Sequence, residues 1–157
     1  MEKYFTDNHI RQIDNAETFE ELAKIAIEVL REMSEKENKP IVEICGPIST
    51  GGLGNTKDNL ERFDKAIKTA CEKGMCVFTQ LPFENAIGKI MYKYPVTDGY
   101  HMDILDIFYR TIFSSGLINK ALFLPDWESS KGARWERDLV TELGLEILEY
   151  PVEWLEE

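Results

Sequence analysis

In the stretch TFEELAKIAIEVLREM, from Thr18 to Met33, apolar residues return at the spacing of one helix face, with Leu22, Ala26, Val29, Leu30 and Met33 forming the stripe. Thr18 followed by Glu21 is a capping box that sets the start of this helix. A charged loop, SEKENKP, ends it, and the pattern then changes period. IVEIC, Ile41 to Cys45, is a short β-branched run suited to a buried parallel strand. DNLERFDKAIKTACEKG predicts the next helix, with Leu60, Phe63, Ile67 and Ala70 on one face and Gly74 as its stop. The apolar run Met75 to Phe78 follows and leads into TQLPFE. Tyr100 to Phe113 predicts a third helix, Ala121 to Leu124 a strand, and Leu145 to Leu148 a last strand before Pro151. Residues 1–16 carry no periodic signal.

Strands alternating with helices predict an α/β domain of the Rossmann-like or flavodoxin-like kind, a parallel sheet of about four to five strands with helices on both faces. The chain reads as one domain, residues 1–157, with an N-terminal helical extension over about 1–38. The wide apolar face of helix 18–33 must be buried, either on the domain or on a partner subunit. In parallel sheets the ligand sits beyond the C-terminal strand ends, near a switch in strand order. Two loops fall there: GPISTGGLGN after Cys45, and PDWESSKGA after the strand ending at Leu124. They are expected to border one cleft.

The helix after the second loop carries the candidate chemistry. Gly132, Ala133, Leu139, Val140 and Leu143 lie on one face, and Glu136 lies in the middle of it. Arg134, Arg137, Asp138 and Glu142 project elsewhere. A carboxylate on a packing face is expensive unless it is paired, hydrogen-bonded or kept for chemistry. The plain alternatives are a buried Glu locked to an Arg, or a helix start open to solvent. The helix dipole favours an ionised Glu136 and desolvation opposes it, in an order the sequence does not fix. The glycines of the first loop let backbone approach a ligand closely, or else form a turn with no ligand. They match neither GxGxxG nor a P-loop, which removes the support for hydride transfer and nucleoside-triphosphate hydrolysis.

A formal charge of -11 argues against long nucleic-acid partners, though not against a small anion held at a helix N-terminus. Ser130, Lys131 and the N–H groups of Gly132 and Ala133 form such a candidate seat, with Lys131 and Arg134 as a local basic pair or as ordinary surface charge. Cys45, Cys71 and Cys76 have no metal-ligand spacing with His9 or His101, so reduced thiols and no metal or cofactor are expected. No apolar run reaches the ~20 residues of a membrane span, and MEKYFTDNHI has no signal-peptide core, so a cytoplasmic protein is expected.

CGPISTGG after the first strand, followed by an N-rich turn and a helix, resembles the opening motif of the nucleoside 2-deoxyribosyltransferase superfamily. LPDWESSKGARWERDLVTELG resembles its second motif, in which a small-residue turn precedes a nucleophilic Glu on a helix. The LP-x-W-x-x-S-x-GA-x-x-E form is most similar to a poorly characterised, widespread branch. The resemblance covers roughly residues 40 to 150 and rests on the two motifs together. It implies Glu136 as the nucleophile that attacks the anomeric carbon. Gly46, Pro47, Ile48 and Ser49 would line base and sugar, and Gly132 and Ala133 would form the turn. Ser130 falls where the nucleoside transferases have an Asp for the 5′-hydroxyl and the 2′-deoxynucleoside 5′-phosphate N-hydrolases have a phosphate-binding Ser. The family Asp that assists base departure matches Asp103 or Asp106 only if an insertion is allowed; the two also read as a solvated charge stripe with Arg110.

The expectation is therefore a hydrolase or transferase acting on the N-glycosidic bond of a nucleoside or nucleoside 5′-monophosphate. Ser130 tilts it towards a phosphorylated substrate and water as acceptor. Glu84, at another strand end, carries little weight; Trp127 and Phe83 either stack on a base or belong to the core. The alternatives are a non-catalytic nucleotide-binding or sensing domain of the same fold, and a structural partner-binding domain. The resemblance implies a homodimer or larger assembly.

Overall fold

A computed structural model describes residues 2–95 and 101–156. Strands β1 (Ile41–Cys45), β2 (Cys76–Phe78), β3 (Lys120–Phe123) and β4 (Glu146–Glu149) form one sheet in the order β2-β1-β3-β4. All three pairings are parallel, with Glu43 opposite Phe78 on one side and Ala121 on the other. The chain leaves β1 for β2 on one side and later returns to place β3 on the other. That reversal between β1 and β3 is the switch point at which α/β sheets open a crevice.

Alternation along the strands sorts their side chains onto two faces. Val42, Ile44, Val77, Leu122 and Leu124 pack with Phe63, Ala66, Ile67 and Ala70 of α3 (Thr56–Glu72), and Trp154 of the short α7 (Val152–Leu155) joins that layer. Ile41, Cys45, Cys76, Phe78, Ala121 and Phe123 face the other layer. It holds α1 (Asp7–Asn15), α2 (Phe19–Lys36), α4 (Glu84–Lys93), α5 (Arg110–Ser114) and α6 (Lys131–Leu143). The α/β sheet with helices on both faces is as the alternating pattern predicts.

The stripe read from α2 is buried throughout, joined by Phe19, Ala23 and Ile25. Its apolar face is covered by the domain's own core, so α2 needs no second subunit to hide it. Two helices had no clear sequence signal. In α1 only Ile13 is buried, too little for a periodic stripe; Thr6 caps it by accepting from His9 N, and His9 Nδ1 accepts from Thr6 N in place of the usual Glu. Helix α4 follows a 3-10 turn at Leu81–Phe83 and hides behind Pro82.

The third expected helix also differs. Its first residue, Tyr100, lies outside the described residues, and Ile104–Tyr109 is π-helical before α5 begins. Leu105 and Phe108, with Ile104 and Tyr109, are buried, a spacing that an ordinary α-helix would show equally, so nothing in the sequence marks the wider turn. π-turns are rare and concentrate at functional sites. Among the described residues no helix is long and apolar enough to cross a membrane. Cys45, Cys71 and Cys76 are free thiols.

Candidate functional site

The loop after β1 is tied to the loop after β3 by hydrogen bonds from both sides. Gly52 N donates to Ser129 Oγ at 2.8 Å, and Lys131 N donates to Thr50 Oγ1 at 3.1 Å. Gly51 has φ +68, and a Cβ there would strike the Ser129 carbonyl, so this approach needs a glycine. Asn59 holds the same loop from α3: its Nδ2 donates to the Ile48 carbonyl at 2.9 Å and its Oδ1 accepts from Leu53 N at 2.8 Å. Arg62 completes the lacing with two bonds to Asp126, at 2.8 and 2.9 Å.

Between the loops lies a cleft with two adjoining lobes that share Ile48, Ser49 and Tyr109. The inner lobe, about 30 Å³, is lined by Gly46, Gln80, Leu105, Ser130, Gly132, Ala133 and Glu136. The outer lobe, about 330 Å³, adds Thr56, Glu84, Asn85, Met91 and Ile104. The inner lobe holds little more than a water molecule. A larger hollow of about 510 Å³ between α1 and α2 is lined by Arg11, Gln12, Asn15, Lys24 and Glu28 among others, and lies on a different part of the molecule.

Ser130 starts α6: its Oγ accepts from Ala133 N at 3.2 Å, and the side chain is buried. Six residues on, Glu136 reaches the inner lobe and is 7% exposed. Burial pushes its carboxyl up to about 8, against the opposing pull of a hydrogen bond from the Cys45 thiol. Desolvation thus outweighs the charge-stabilising effect of the Cys45 thiol. Among the described residues no arginine neutralises it: Arg137, the next residue, pairs with Glu149 at 2.7 Å and stacks over Phe123 and Trp127.

A family model described as Domain of unknown function (DUF4406) matches residues 41–149. The chain belongs to that family. The DUF4406 stretch runs from β1 to β4 and contains both loops and every residue lining the cleft, while α1, α2 and α7 lie outside it. No curated protein and no solved structure matches the chain.

Within the DUF4406 stretch, Gly46, Ile48, Ser49, Ser130, Gly132, Ala133 and Glu136 meet at one cleft, as their positions at strand ends predict. Pro47 does not line the cleft; it is buried in the same loop, against Gly52. Leu143, read as part of the buried face of α6, is 40% exposed because it sits on the helix's last turn. Asp103 and Asp106 do not join the cleft. Both are exposed, and Asp106 faces Arg110 at 3.5 Å in solvent. Their helix turns Leu105 and Tyr109 inward instead, which corrects the placement of a base-protonating Asp on this helix. The candidate anion seat is largely occupied by the protein itself: Lys131 N bonds Thr50, Ala133 N bonds Ser130, and Arg134 Nη1 donates to the Glu128 carbonyl. Phe83 is fully buried among Phe5, Phe78 and Phe108, and Trp127 is held by Phe123 and Arg137.

Three polar residues matter more than the sequence suggests. Glu84, in the first turn of α4, lines the outer lobe, and burial pushes its carboxyl up to about 7. Gln80 is 2% exposed; its Nε2 donates to the Ile44 carbonyl, and its Oε1, buried in the lining of the inner lobe, has no partner. Glu43, in the middle of β1, is fully buried with neither oxygen hydrogen-bonded. The one signal available was a charged residue inside an otherwise apolar strand run, IVEIC.

Proposed function

We propose that the protein breaks the N-glycosidic bond of a nucleoside, with Glu136 as nucleophile and Glu84 as the acid that protonates the departing base. The observation that carries this reading is Glu136 itself: a carboxyl on the wall of the switch-point cleft, paired with no arginine among the described residues and bonded by the weak Cys45 thiol donor. Breaking an N-glycosidic bond develops positive charge on the sugar, which a carboxylate on the anomeric face stabilises or captures as a glycosyl ester. The base leaves with the bonding electron pair and takes a proton from Glu84. Water, or a second base, then gives a proton to the Glu84 carboxylate as it displaces the ester, which regenerates the Glu136 carboxylate and the Glu84 acid. Gln80 Oε1 is an acceptor without a donor in the same lobe, fit for a hydroxyl or amine of the substrate. The inner lobe is too small for a sugar as it stands, so Ile48 and Leu105 must give way on binding.

The electrostatics favour an uncharged nucleoside over its 5′-phosphate. Among the described residues, no Lys, Arg or His lines either lobe, and two acids do. Two of the backbone donors at the start of α6, Lys131 N and Ala133 N, are already engaged, which weighs against the tilt that Ser130 gives in the sequence. The proton inventory predicts a bell-shaped rate profile. Glu136 must be ionised and Glu84 protonated, and with values of about 8 and about 7 that form is a minority at every pH, largest between the two.

The test is a panel of nucleosides and nucleoside monophosphates, scored for free base. Release that is faster from nucleosides and abolished by Glu136→Ala is expected; no release from any substrate, or release untouched by that change, removes the proposal. One observation favours a second reading, a binding or sensing domain without turnover: burial keeps Glu136 mostly protonated at neutral pH, when a nucleophile must be charged. That reading predicts thermal stabilisation by a nucleoside with no product formed.

A further inference from the structure

Gln80 lies just beyond β2, where the chain turns into the 3-10 segment Leu81–Phe83. Its backbone is pinned there: Phe83 N donates to the Gln80 carbonyl at 3.0 Å, and Leu81 N donates to Thr79 Oγ1 at 3.2 Å. The side chain is 2% exposed, and its Nε2 donates to the Ile44 carbonyl of β1 at 3.3 Å. That bond fixes which way round the amide sits, since the reverse would set two oxygens against each other. Oε1 is left in the wall of the inner lobe as an acceptor without a donor. Among the described residues lining either lobe, no other buried side-chain atom lacks a hydrogen-bond partner. A buried acceptor left unpaired is costly, and a methionine would fill similar space without that cost.

The two lobes decide which part of a nucleoside meets this oxygen. Glu84, the acid for the departing base, lines the outer lobe; Glu136, the group at the anomeric carbon, lines the inner one. Gln80 lines the inner lobe and not the outer, so it faces the sugar rather than an amine of the base. An acceptor pairs only with a donor, and the ring oxygen of the sugar carries no proton, which leaves the hydroxyls. The 2′-hydroxyl sits on the carbon next to the anomeric one, and the 3′- and 5′-hydroxyls lie farther along the sugar. In a lobe of about 30 Å³ that also contains Glu136, the hydroxyl nearest the anomeric carbon is the one within reach.

We propose that Gln80 is the specificity-determining residue for the sugar: its Oε1 accepts from the 2′-hydroxyl, so the cleft takes ribonucleosides in preference to 2′-deoxynucleosides. The resemblance in sequence points the other way, to a 2-deoxyribosyl donor, but its two motifs do not include Gln80. A site built to bond a hydroxyl rejects the analogue that lacks it, because the polar group of the site is then buried unpaired. The same bond assists the reaction, since hydrogen bonds to the hydroxyl beside the anomeric carbon strengthen in the transition state of glycoside cleavage. Gln80 accepts one hydrogen bond throughout, and no covalent bond changes there.

This assignment rests on the glycosidic reading, which tells one lobe from the other, so its test measures binding and cleavage separately. Adenosine, guanosine, cytidine and uridine are each compared with their 2′-deoxy and 3′-deoxy counterparts on the intact protein. Calorimetry gives Kd, and free base gives kcat/KM. In the wild type, loss of the 2′-hydroxyl should weaken binding by about tenfold to a hundredfold, and loss of the 3′-hydroxyl by less. Gln80→Met should erase that difference. In water 2′-deoxynucleosides shed their base more readily, because a 2′-hydroxyl withdraws electrons from the forming cation. Cleavage is therefore compared as the ribose-to-deoxyribose ratio of kcat/KM, which Gln80→Met should lower by about tenfold or more, through the ribonucleoside. A 2′-deoxy loss no larger than the 3′-deoxy loss, or a ribose preference that Gln80→Met keeps, overturns the proposal. Should Gln80→Met fail to fold, the wild-type series decides it alone. Ribose-selective binding without base release would sink the glycosidic reaction and leave the role of Gln80 standing. A protein that neither binds nor cleaves any of these nucleosides overturns both.

Discussion

On the side of β1 that meets α3, Val42 and Ile44 lie among Phe63, Ala66 and Ile67, and a polar group that reaches this layer is satisfied: Tyr150 Oη donates to the Ala66 carbonyl at 3.0 Å. On the opposite side of the same strand, Glu43 has no partner, Cys45 bonds Glu136, and Gln80, just beyond the end of β2, presents an unpaired oxygen. Depth and backbone are shared, so neither explains the difference. What differs is where each face leads: the α3 face closes on a helix, whereas the α6 face opens into the switch-point cleft. Glu43 and the Gln80 oxygen, unsatisfied on the cleft side of an otherwise well-packed sheet, are the mark of a site maintained at the expense of stability.

The largest effect should come from moving a carboxyl across the strand. Ile44→Glu places an acid at the same depth on the α3 face, beyond the reach of Cys45 and with no cleft beside it. Such a group costs on the order of 3–5 kcal/mol, a large share of a typical domain's total. Circular-dichroism melts should show a protein folded poorly or not at all at neutral pH. A melting temperature within a degree or two of wild type would mean that both faces tolerate acids equally, and the contrast would carry no meaning.

Next in size is the pH dependence of stability, which separates the faces without any new group. Glu136, raised to about 8, and Glu84, raised to about 7, bind protons more tightly folded than unfolded. Their contribution is fully present below the unfolded value of 4.5 and is lost as pH rises through the folded values, since the unfolded chain gives up its protons first. Urea unfolding of the wild type should weaken by about 1 kcal/mol per pH unit for each group between pH 5 and the group's folded value. Glu136→Gln should flatten the upper part of that slope and melt higher than wild type at pH 9, while any base-releasing activity falls by about 10³-fold or more. A slope unchanged by Glu136→Gln would mean that this carboxyl is not held protonated by burial.

Much of this contrast could be read from the chain, and the unread part has physical causes. Strand ends, both loops and the inward aim of Glu136 follow from the period of apolar residues and from where glycines and a helix cap fall. Glu43 escaped because a five-residue apolar run averages over its one charge, and only the register against Phe78 and Ala121 shows the side chain to be unpartnered. The aspartates were misplaced because an i, i+3 pair near a helix looks the same whether it faces solvent or a cleft; the π-helical turn that aims Leu105 and Tyr109 inward leaves no trace in residue spacing. Glu84 was underweighted since its burial is supplied by α4, whose start behind Pro82 gives little periodic signal.

The smallest effect sharpens the comparison from the quiet side. Tyr150→Phe removes the Oη hydrogen bond to Ala66 and keeps the ring, which packs edge-on against Trp154 with centroids 5.4 Å apart. The Ala66 carbonyl lies inside α3, where it has the ordinary helical partner four residues on, so the loss does not orphan it. The expected cost is about 1 kcal/mol, the usual net worth of one satisfied hydrogen bond. No shifted carboxyl is involved, so this cost should be the same at pH 5 and pH 9, whereas every change on the Glu136 side varies across that range. Urea midpoints at the two pH values measure it. A Tyr150→Phe penalty that grows or vanishes with pH would show that titration on the cleft face is felt through the sheet, and the two faces would then have to be treated as one coupled core.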